Sequence, residues 1–490
     1  MRKSGILCHI SSLPNPYGIG SYGQTAFDFI DFLVKTKQSL WQILPLGPTS
    51  FGNSPYQSFS VFAHNPYFID IDLLVVEGLL NVEETKTAKK RKKKIDYGHL
   101  YETRTPLLRL AFSRFEPTED YQTFILKEAS WLNDYALFMA IKKAFKDQSW
   151  LYWDENIRMR RPEALLTYQE KYQEEIAFHQ FLQFKAHQQW LKLKRHANSR
   201  GIEIVGDMPI YVAYDSSDVW AHPELFLLDE KRKPTDVAGV PPDGFTSEGQ
   251  LWGNPLYHWE VLHKQNYAWW LHRVRYALNL YDHVRIDHFI GFVRFYRIPY
   301  GAKTAEHGVW AQGPGETFFN TLKEELGDVN IIAEDLGVLT EDVRTLLKTT
   351  GYPGMKVFQF GFSDQKENEY QPHLYPIHTI AYTGTHDNQT TRSWYRDMDR
   401  KNRRYIRSYI MAKKGLPISE QIIWTTLQSA AETVIIPLQD YLNLTDRARM
   451  NQPATVGKNW QWRFIKRDLT KSLRYKVKWL TILSGRARID

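Results

Sequence analysis

Two charged side chains stand two positions apart in the short apolar segment His283–Phe289, which reads His-Val-Arg-Ile-Asp-His-Phe. Valine and isoleucine alternate with Arg285 and Asp287, so a β-strand here places the cation and the anion on one face. A buried carboxylate needs a partner, and a guanidinium at this spacing would hold Asp287 ionised and oriented. We interpret Asp287 as a nucleophile; a structural ion pair in a barrel core is the alternative.

Two other strand-like segments end in acids. Glu334 follows the apolar run Asn-Ile-Ile-Ala, and Asp387 follows His386 at the end of another segment. Glycoside chemistry needs one ionised carboxylate and one protonated one, which in a retaining mechanism are about 5 to 5.5 Å apart. Burial would raise the pKa of Glu334, so we predict that Glu334 is the proton donor. Asp387 and His386 would hydrogen-bond sugar hydroxyls.

A metal site is the competing interpretation of these acids, since histidines occur in the same segments. The chain shows no tight ligand spacing such as His-x-x-x-His, and neither the Rossmann fingerprint nor a P-loop pattern occurs. We therefore predict no metal and no cofactor. The histidines concerned are His9, His283, His288 and His386.

The elements that must position these side chains form an alternating pattern. Strands are predicted to begin near residues 5, 40, 203, 283, 330, 355, 378 and 432. Strands that alternate with helices or irregular segments predict an α/β fold, a (β/α)8 TIM barrel, whose site lies at the carboxyl ends of the strands. A doubly wound sheet with a separate helical domain would alternate similarly, but it would concentrate ligands at one switch point. Here polar residues end four strands, at Asp207, Arg285 with Asp287, Glu334 with Asp335, and His386 with Asp387.

The length of 490 residues fits either one large barrel with insertions or three ordinary domains. We predict a single catalytic barrel over residues 1–490 with inserted, mostly helical subdomains. The main helical insertion spans about residues 70–200, and a substrate-covering loop insertion spans about 213–260. The segments Ser54 to Asn65 and Pro241 to Trp252 are expected to roof the site.

Charge and composition exclude several classes of protein. The formal net charge is +8, but the run Lys89–Lys94 holds six positive charges, so we predict a solvated surface loop and no nucleic-acid partner. The lone Cys8 excludes an internal disulfide framework. Because no stretch of about 18 apolar residues occurs, we predict no membrane association and a cytoplasmic protein.

Seven motifs in a fixed order carry a resemblance. Together they resemble the amylomaltases, the 4-alpha-glucanotransferases of glycoside hydrolase family 77 in the alpha-amylase clan, over almost the whole chain. The motifs are Ser54-Pro-Tyr-Gln-Ser58, Gly206-Asp-Met-Pro-Ile-Tyr-Val212, Trp252-Gly-Asn-Pro-Leu-Tyr257, Arg285-Ile-Asp-His-Phe289, Ala333-Glu-Asp-Leu-Gly337, Gly384-Thr-His-Asp-Asn388 and Asn459-Trp-Gln-Trp-Arg463.

The resemblance implies roles for these positions. Asp287 would be the nucleophile, Glu334 the acid/base and Asp387 the transition-state stabiliser. The residues implied to hold the glucan are Tyr56, Asp207, Trp252, Arg285 and His386. The implied reaction transfers a segment of an α-1,4-glucan donor, such as a maltooligosaccharide or starch fragment, to the 4-hydroxyl of an acceptor glucan or of glucose.

Departures from the wider pattern bear on the choice of reaction. Val212 stands where alpha-amylases usually carry histidine, which favours a transferase over a hydrolase. Ile290 stands where many amylomaltases have arginine, and Ala454 stands where glycine is usual, so acceptor preference is open. An amylolytic hydrolase with the same acids and a non-catalytic glucan-binding protein remain the alternatives.

Overall fold

The computed structural model describes residues 2–90, 92–242, 247–337, 339–363 and 366–488. Twelve strands occur in these residues. They are β1 Lys3–Leu7, β2 Leu40–Gln42, β3 Glu203–Pro209, β4 Asp236–Val240, β5 Gln250–Pro255, β6 His283–Asp287, β7 Arg294–Pro299, β8 Val309–Gln312, β9 Ile331–Ala333, β10 Gly354–Val357, β11 Thr379–Tyr382 and β12 Thr433–Pro437.

Eight of the strands form a parallel sheet in the order β10-β11-β12-β1-β2-β3-β6-β9. Its two ends meet, because the Ala333 amide at the end of β9 donates to the Pro353 carbonyl just before β10 at 3.0 Å. The sheet is therefore a (β/α)8 barrel, as predicted. All eight predicted strand starts are confirmed to within two residues.

Helices connect and surround the strands. They are α1 Gln24–Lys35, α2 Ile71–Val76, α3 Tyr97–Ser113, α4 Glu119–Lys127, α5 Ala129–Ala144, α6 Glu155–Arg158, α7 Pro162–Lys171, α8 Gln173–Ser199, α9 Ser217–Ala221, α10 Trp259–Lys264, α11 Ala268–Leu280, α12 Gly315–Leu326, α13 Glu341–Thr350, α14 Thr391–Asp397, α15 Arg400–Tyr409, α16 Ile418–Gln428, α17 Leu438–Tyr441 and α18 Lys471–Leu483. Helices α2 to α8 lie between β2 and β3, in the segment predicted to be helical.

Aromatic side chains fill the space between the barrel and these helices. Trp41, Trp190 and Trp270 are fully buried. The Trp190 indole donates to the Leu280 carbonyl at 3.1 Å, so its polar group is satisfied where helix α8 packs near the barrel. Part of the aromatic content of the chain therefore serves the core.

A second sheet lies outside the barrel and differs from the prediction. Its four antiparallel strands run in the order β5-β4-β7-β8, so part of the segment at 213–260 is regular where the sequence indicated a loop. Glycine and proline in β4 and β5 hide the strand signal, and β4 pairs with β7 about 60 residues further along the chain. Residues 243–246 of the predicted roof lie outside the described residues.

In the portion of the chain that the structure describes, every helix is too short or too polar to cross a bilayer. The cytoplasmic location stays a prediction.

Candidate active site

A buried arginine joins two acids at the carboxyl end of the barrel. Strands β3 and β6 pair with Asp207 opposite Arg285. The Arg285 Nη1 atom lies 2.7 Å from Asp207 Oδ1 and 2.9 Å from Asp287 Oδ1. Asp207 and Arg285 are buried, whereas the Asp287 side chain is 29% exposed. Arg285 therefore orients Asp287 toward the solvent-accessible side, and Asp207 supplies a second counter-charge that the sequence reasoning did not pair with it.

Glu334 follows strand β9, next to the strand that carries Asp287. The register pairs Ile286 with Ala333, so the next residues, Asp287 and Glu334, come at the carboxyl ends of two neighbouring strands. Both Glu334 oxygens accept backbone hydrogen bonds, Oε2 from the His288 amide at 2.6 Å and Oε1 from the Leu336 amide at 3.0 Å.

The protonation of Glu334 follows from its surroundings. Burial raises the pKa of Glu334 from 4.5 to about 8, and the negative charge of Asp287 adds to the rise. The Arg285 charge and the His288 amide act in the opposite direction. At neutral pH the carboxyl group is therefore mostly protonated, beside an ion-paired carboxylate.

Tyr56 connects this cluster to the next strand end. Its hydroxyl donates to Asp207 Oδ2 at 2.7 Å. Its ring stacks on the His386 imidazole with centroids 5.2 Å apart and an interplanar angle of 10°. The Trp460 ring packs against both, 5.8 Å from each centroid.

The charges around Tyr56 place the third acid near the other two. Burial raises the pKa of the Tyr56 hydroxyl well above its ordinary value. The carboxylates of Asp207, Asp287 and Asp387 reinforce this rise, and Arg285 opposes it. The charges of these side chains therefore all act on one hydroxyl group.

Asp387 follows β11 and is held by a loop near the end of the chain. Asn451 Nδ2 donates to Asp387 Oδ1 at 2.6 Å, and His386 Nε2 lies 3.3 Å from the same oxygen. The Arg449 guanidinium donates to the Asp387 carbonyl. The Asp387 side chain is 42% exposed, so it keeps a face open to a ligand.

Trp252 lies on β5, in the outer sheet and not in the barrel. Its ring meets the His288 imidazole edge to face at 4.9 Å and lies 6.2 Å from the Tyr211 ring. It thus reaches the acids through His288, the residue that follows Asp287. The predicted roof segment at 54–65 is tied to the same strand, because Gln57 Nε2 donates to Asn254 Oδ1 at 3.0 Å.

The structure brings six of the eight predicted site residues into one network of direct contacts, and Glu334 and Trp252 join it through His288. Sequence reasoning missed Asn451 and Trp460 as parts of the site. Trp460 lies in the motif Asn459–Arg463 and Asn451 lies three residues before Ala454, but nothing local indicated that they fold back onto Tyr56 and Asp387. Among the described residues, no three His, Cys, Asp or Glu side chains converge in a way that would hold a metal ion.

The chain is similar in sequence to known proteins. A family model described as 4-alpha-glucanotransferase, glycoside hydrolase family 77, matches residues 8–468. The chain belongs to the 4-alpha-glucanotransferase family. It is 47% identical over 492 aligned positions to the 4-alpha-glucanotransferase of Streptococcus pneumoniae, covering 99% of this chain and 97% of that one. The 4-alpha-glucanotransferase of Thermus thermophilus is 45% identical, with 96% of each chain covered.

Solved structures of amylomaltases share the fold of this 4-alpha-glucanotransferase family member. The amylomaltase of Streptococcus agalactiae in complex with acarbose superposes with a TM-score of 0.97 at 43% identity, covering 99% of this chain and 100% of that one. The amylomaltase of Corynebacterium glutamicum superposes at 0.80 with 17% identity and shares the fold; the match covers 100% of this chain and 75% of that one.

Proposed function

We propose that this 4-alpha-glucanotransferase moves a segment of an α-1,4-glucan onto the 4-hydroxyl of a second glucan or of glucose, with Asp287 as nucleophile and Glu334 as acid/base. One observation carries the assignment. Two carboxyl groups stand at the carboxyl ends of neighbouring strands in opposite environments. Asp287 is paired with Arg285, and Glu334 is buried and largely protonated. That contrast is what a retaining glycosyl transfer requires.

In the first step a carboxylate oxygen of Asp287 attacks the anomeric carbon of the donor. The bond to the glycosidic oxygen breaks, and Glu334 gives its proton to that oxygen, so the leaving fragment departs with a free 4-hydroxyl. The remaining fragment is held as an ester on Asp287. Arg285 stabilises the carboxylate until attack and takes part in no bond change.

In the second step the 4-hydroxyl of the acceptor gives its proton to Glu334 and attacks the same carbon. The ester bond to Asp287 breaks, and a new α-1,4 bond forms with the original configuration restored by two inversions. Asp387, held by Asn451, is placed to hydrogen-bond hydroxyls of the distorted sugar ring. Tyr56, Asp207, Trp252 and His386 would hold the glucan, as the resemblance implies.

Transfer in place of hydrolysis requires that water is kept from the ester until an acceptor binds. The contact of Gln57 with Asn254 joins the segment at 54–65 to β5 beside the site. This bridge supports a covered site. The amylomaltase of Streptococcus agalactiae, which was solved with acarbose, supports an oligosaccharide ligand.

Incubation with maltotriose tests the reaction. We expect a ladder of longer oligosaccharides together with glucose and maltose from the unaltered protein. The variants Asp287→Asn, Glu334→Gln and Asp387→Asn should each lose at least about 1,000-fold in kcat, since each removes a group that acts in the transition state. Products that are only shorter than maltotriose would indicate a hydrolase, and an active Asp287→Asn variant would overturn the assignment.

A matched control and a direct trap make the test sharper. Glu203 lies at the opposite end of the barrel, at the start of β3, so Glu203→Gln should keep its transfer activity. A 4-deoxymaltotriosyl fluoride needs little acid assistance to react and cannot serve as an acceptor. With the Glu334→Gln variant it should leave a labelled peptide that contains Asp287, detected by mass after digestion. A label on a different peptide would mean that another residue is the nucleophile.

A further inference from the structure

His288 has an unusual backbone conformation between Asp287 and Phe289. Its φ and ψ angles of 54° and 51° lie in the left-handed region. Residues other than glycine seldom adopt this region, although histidine does so more often than most. Such a conformation persists only where the surroundings fix it, and it occurs preferentially at functional sites.

Two amide groups at this turn donate to Glu334. The His288 amide donates to Glu334 Oε2 at 2.6 Å, and the Phe289 amide donates to the Glu334 main-chain carbonyl at 2.9 Å. The turn closes on itself, because the Gly291 amide donates to the His288 carbonyl at 2.9 Å. A strand that simply continued past Asp287 would aim the amide of residue 288 elsewhere.

The imidazole of His288 is enclosed by aromatic rings. The Trp252 indole meets it edge to face at 4.9 Å, and the Tyr211 ring lies 6.4 Å away. A Cβ atom on Gly291 would lie 3.1 Å from His288 Cδ2, so the ring fits closely over that glycine. Burial lowers the pKa of His288 to about 4, so the ring is neutral at working pH and acts by packing.

From these contacts we infer that His288 is a positioning residue for Glu334. Its main-chain N–H orients the carboxyl group and stabilises the carboxylate form, and its imidazole, held between Trp252 and Tyr211, keeps the backbone in the turn that aims this N–H. The inference rests on the proposed function, since it assigns a partner to the acid/base. It also links Trp252, on the outer sheet, to the reacting acid through one residue.

Other charges act on Glu334 and must stay constant in a test. Arg285 and Asp287 face it from β6, and Asp335 follows it in the chain. Tyr370, after β10, lies close enough for the charge of Glu334 to raise the pKa of its hydroxyl. A substitution at any of these positions would mix several effects, so the test should remove the N–H alone.

Replacing His288 with its α-hydroxy acid, imidazolyl-lactic acid, in cell-free translation removes that N–H. The change turns one amide into an ester and keeps the side chain. Phe289 offers a matched control, because phenyllactic acid there removes a hydrogen bond to the Glu334 carbonyl and leaves the carboxyl contacts intact. Both proteins are compared with the unaltered one by the pH dependence of kcat/KM for maltotriose.

The ester at residue 288 should move the alkaline limb of the pH profile to higher pH, by about half a unit or more, because the carboxylate has lost a donor. It should lower kcat by about tenfold or more with little change in KM, since the loss is felt in the transition state. The ester at residue 289 should keep the limb in place. An unchanged limb in the 288 ester, or an equal shift in both, would overturn the inference.

Two side-chain variants test the part played by the imidazole. His288→Val should shift the limb in the same direction as the ester, because a β-branched residue disfavours the left-handed region. His288→Asn, which tolerates that region, should shift it less. If the His288→Val variant kept the pH profile of the unaltered protein, the imidazole would have no part in positioning Glu334. If Glu334→Gln still transferred glucan at an undiminished rate, the proposed function would fail first, independently of His288.

Discussion

The Glu334 carboxyl group is costly to the folded protein at the pH where it works. Its pKa is raised from 4.5 to about 8 by burial, so between these values the folded state holds a proton that the unfolded chain releases. The free energy of unfolding therefore falls as pH rises through this window. Each pH unit within it removes up to about 1.4 kcal/mol.

We expect Glu334→Gln to be more stable than the unaltered protein, by a margin that grows from pH 5 to pH 8. Glutamine is neutral in the folded and the unfolded state, so the stability of the variant does not fall as this group titrates. The difference in the free energy of unfolding should reach a few kcal/mol. Urea unfolding at pH 5, 6.5 and 8 measures it. Glu84→Gln is a control, because the ion pair with Arg114 lowers the pKa of Glu84 to about 2. The effect of this substitution on stability should therefore stay constant from pH 5 to pH 8. A constant margin for Glu334→Gln would contradict the raised pKa.

Residue types predicted part of the site and left part out. The spacing of Arg285 and Asp287 in one strand was sufficient to predict their ion pair, because a strand fixes which side chains share a face. The contact of Asp387 with Asn451 spans 64 residues, and no local pattern encodes it. The left-handed turn at His288 was also unpredicted, since only the packed Trp252 and Tyr211 rings reveal why it persists.

At the scale of elements, the barrel was predictable because its strands are buried and apolar and alternate with helices. The outer sheet was not. Strand β5 contains Gly253 and Pro255, and β4 pairs with β7 far along the chain. Such pairings depend on which distant segments meet in the fold. The strand propensity of each segment does not predict this. The sequence therefore predicted the elements that hold the acids and missed the sheet that carries Trp252.

A substitution in strand β3 tests how closely the barrel packs next to Asp207. A Cβ atom at Gly206 would lie 2.1 Å from Cδ2 of the buried Tyr281 ring, and Asp207 is the next residue. Gly206→Ala should lower the free energy of unfolding by about 1–3 kcal/mol through overpacking. It should also lower transfer activity, because the strain displaces Asp207 from Arg285. Thermal unfolding and the maltotriose assay measure both effects.

Helix α3 supplies a control for the Gly206 substitution. A Cβ atom at Gly98 would meet only Asp96 Oδ1, at the ordinary distance of 3.6 Å. Gly98→Ala should therefore raise stability by about 0.5–1 kcal/mol, as expected for alanine in a helix, and should leave activity unchanged. Equal stability of the Gly206→Ala and Gly98→Ala variants would mean that β3 has room to move.

At the scale of the whole molecule, part of the lysine run lies beside the loop that carries Trp460. Lys93 and Lys94 are exposed in a segment whose backbone pairs with the loop that carries Trp460. The Ile95 amide donates to the Gln461 carbonyl at 2.8 Å. The sequence predicted an exposed basic loop but gave no sign of this attachment. Arg91, within the run, lies outside the described residues.

We expect the lysine run to be dispensable for transfer despite its position. The proposed substrates are uncharged, so screening a cation near the cleft should not change their binding. The double variant Lys93→Gln, Lys94→Gln should keep kcat/KM for maltotriose within about twofold at 0.05 and 0.5 M salt. It should elute earlier from a cation exchanger, which verifies that the charge was removed. Retention of the unaltered protein on DNA at about 0.15 M salt that the double variant loses would contradict the prediction of no nucleic-acid partner.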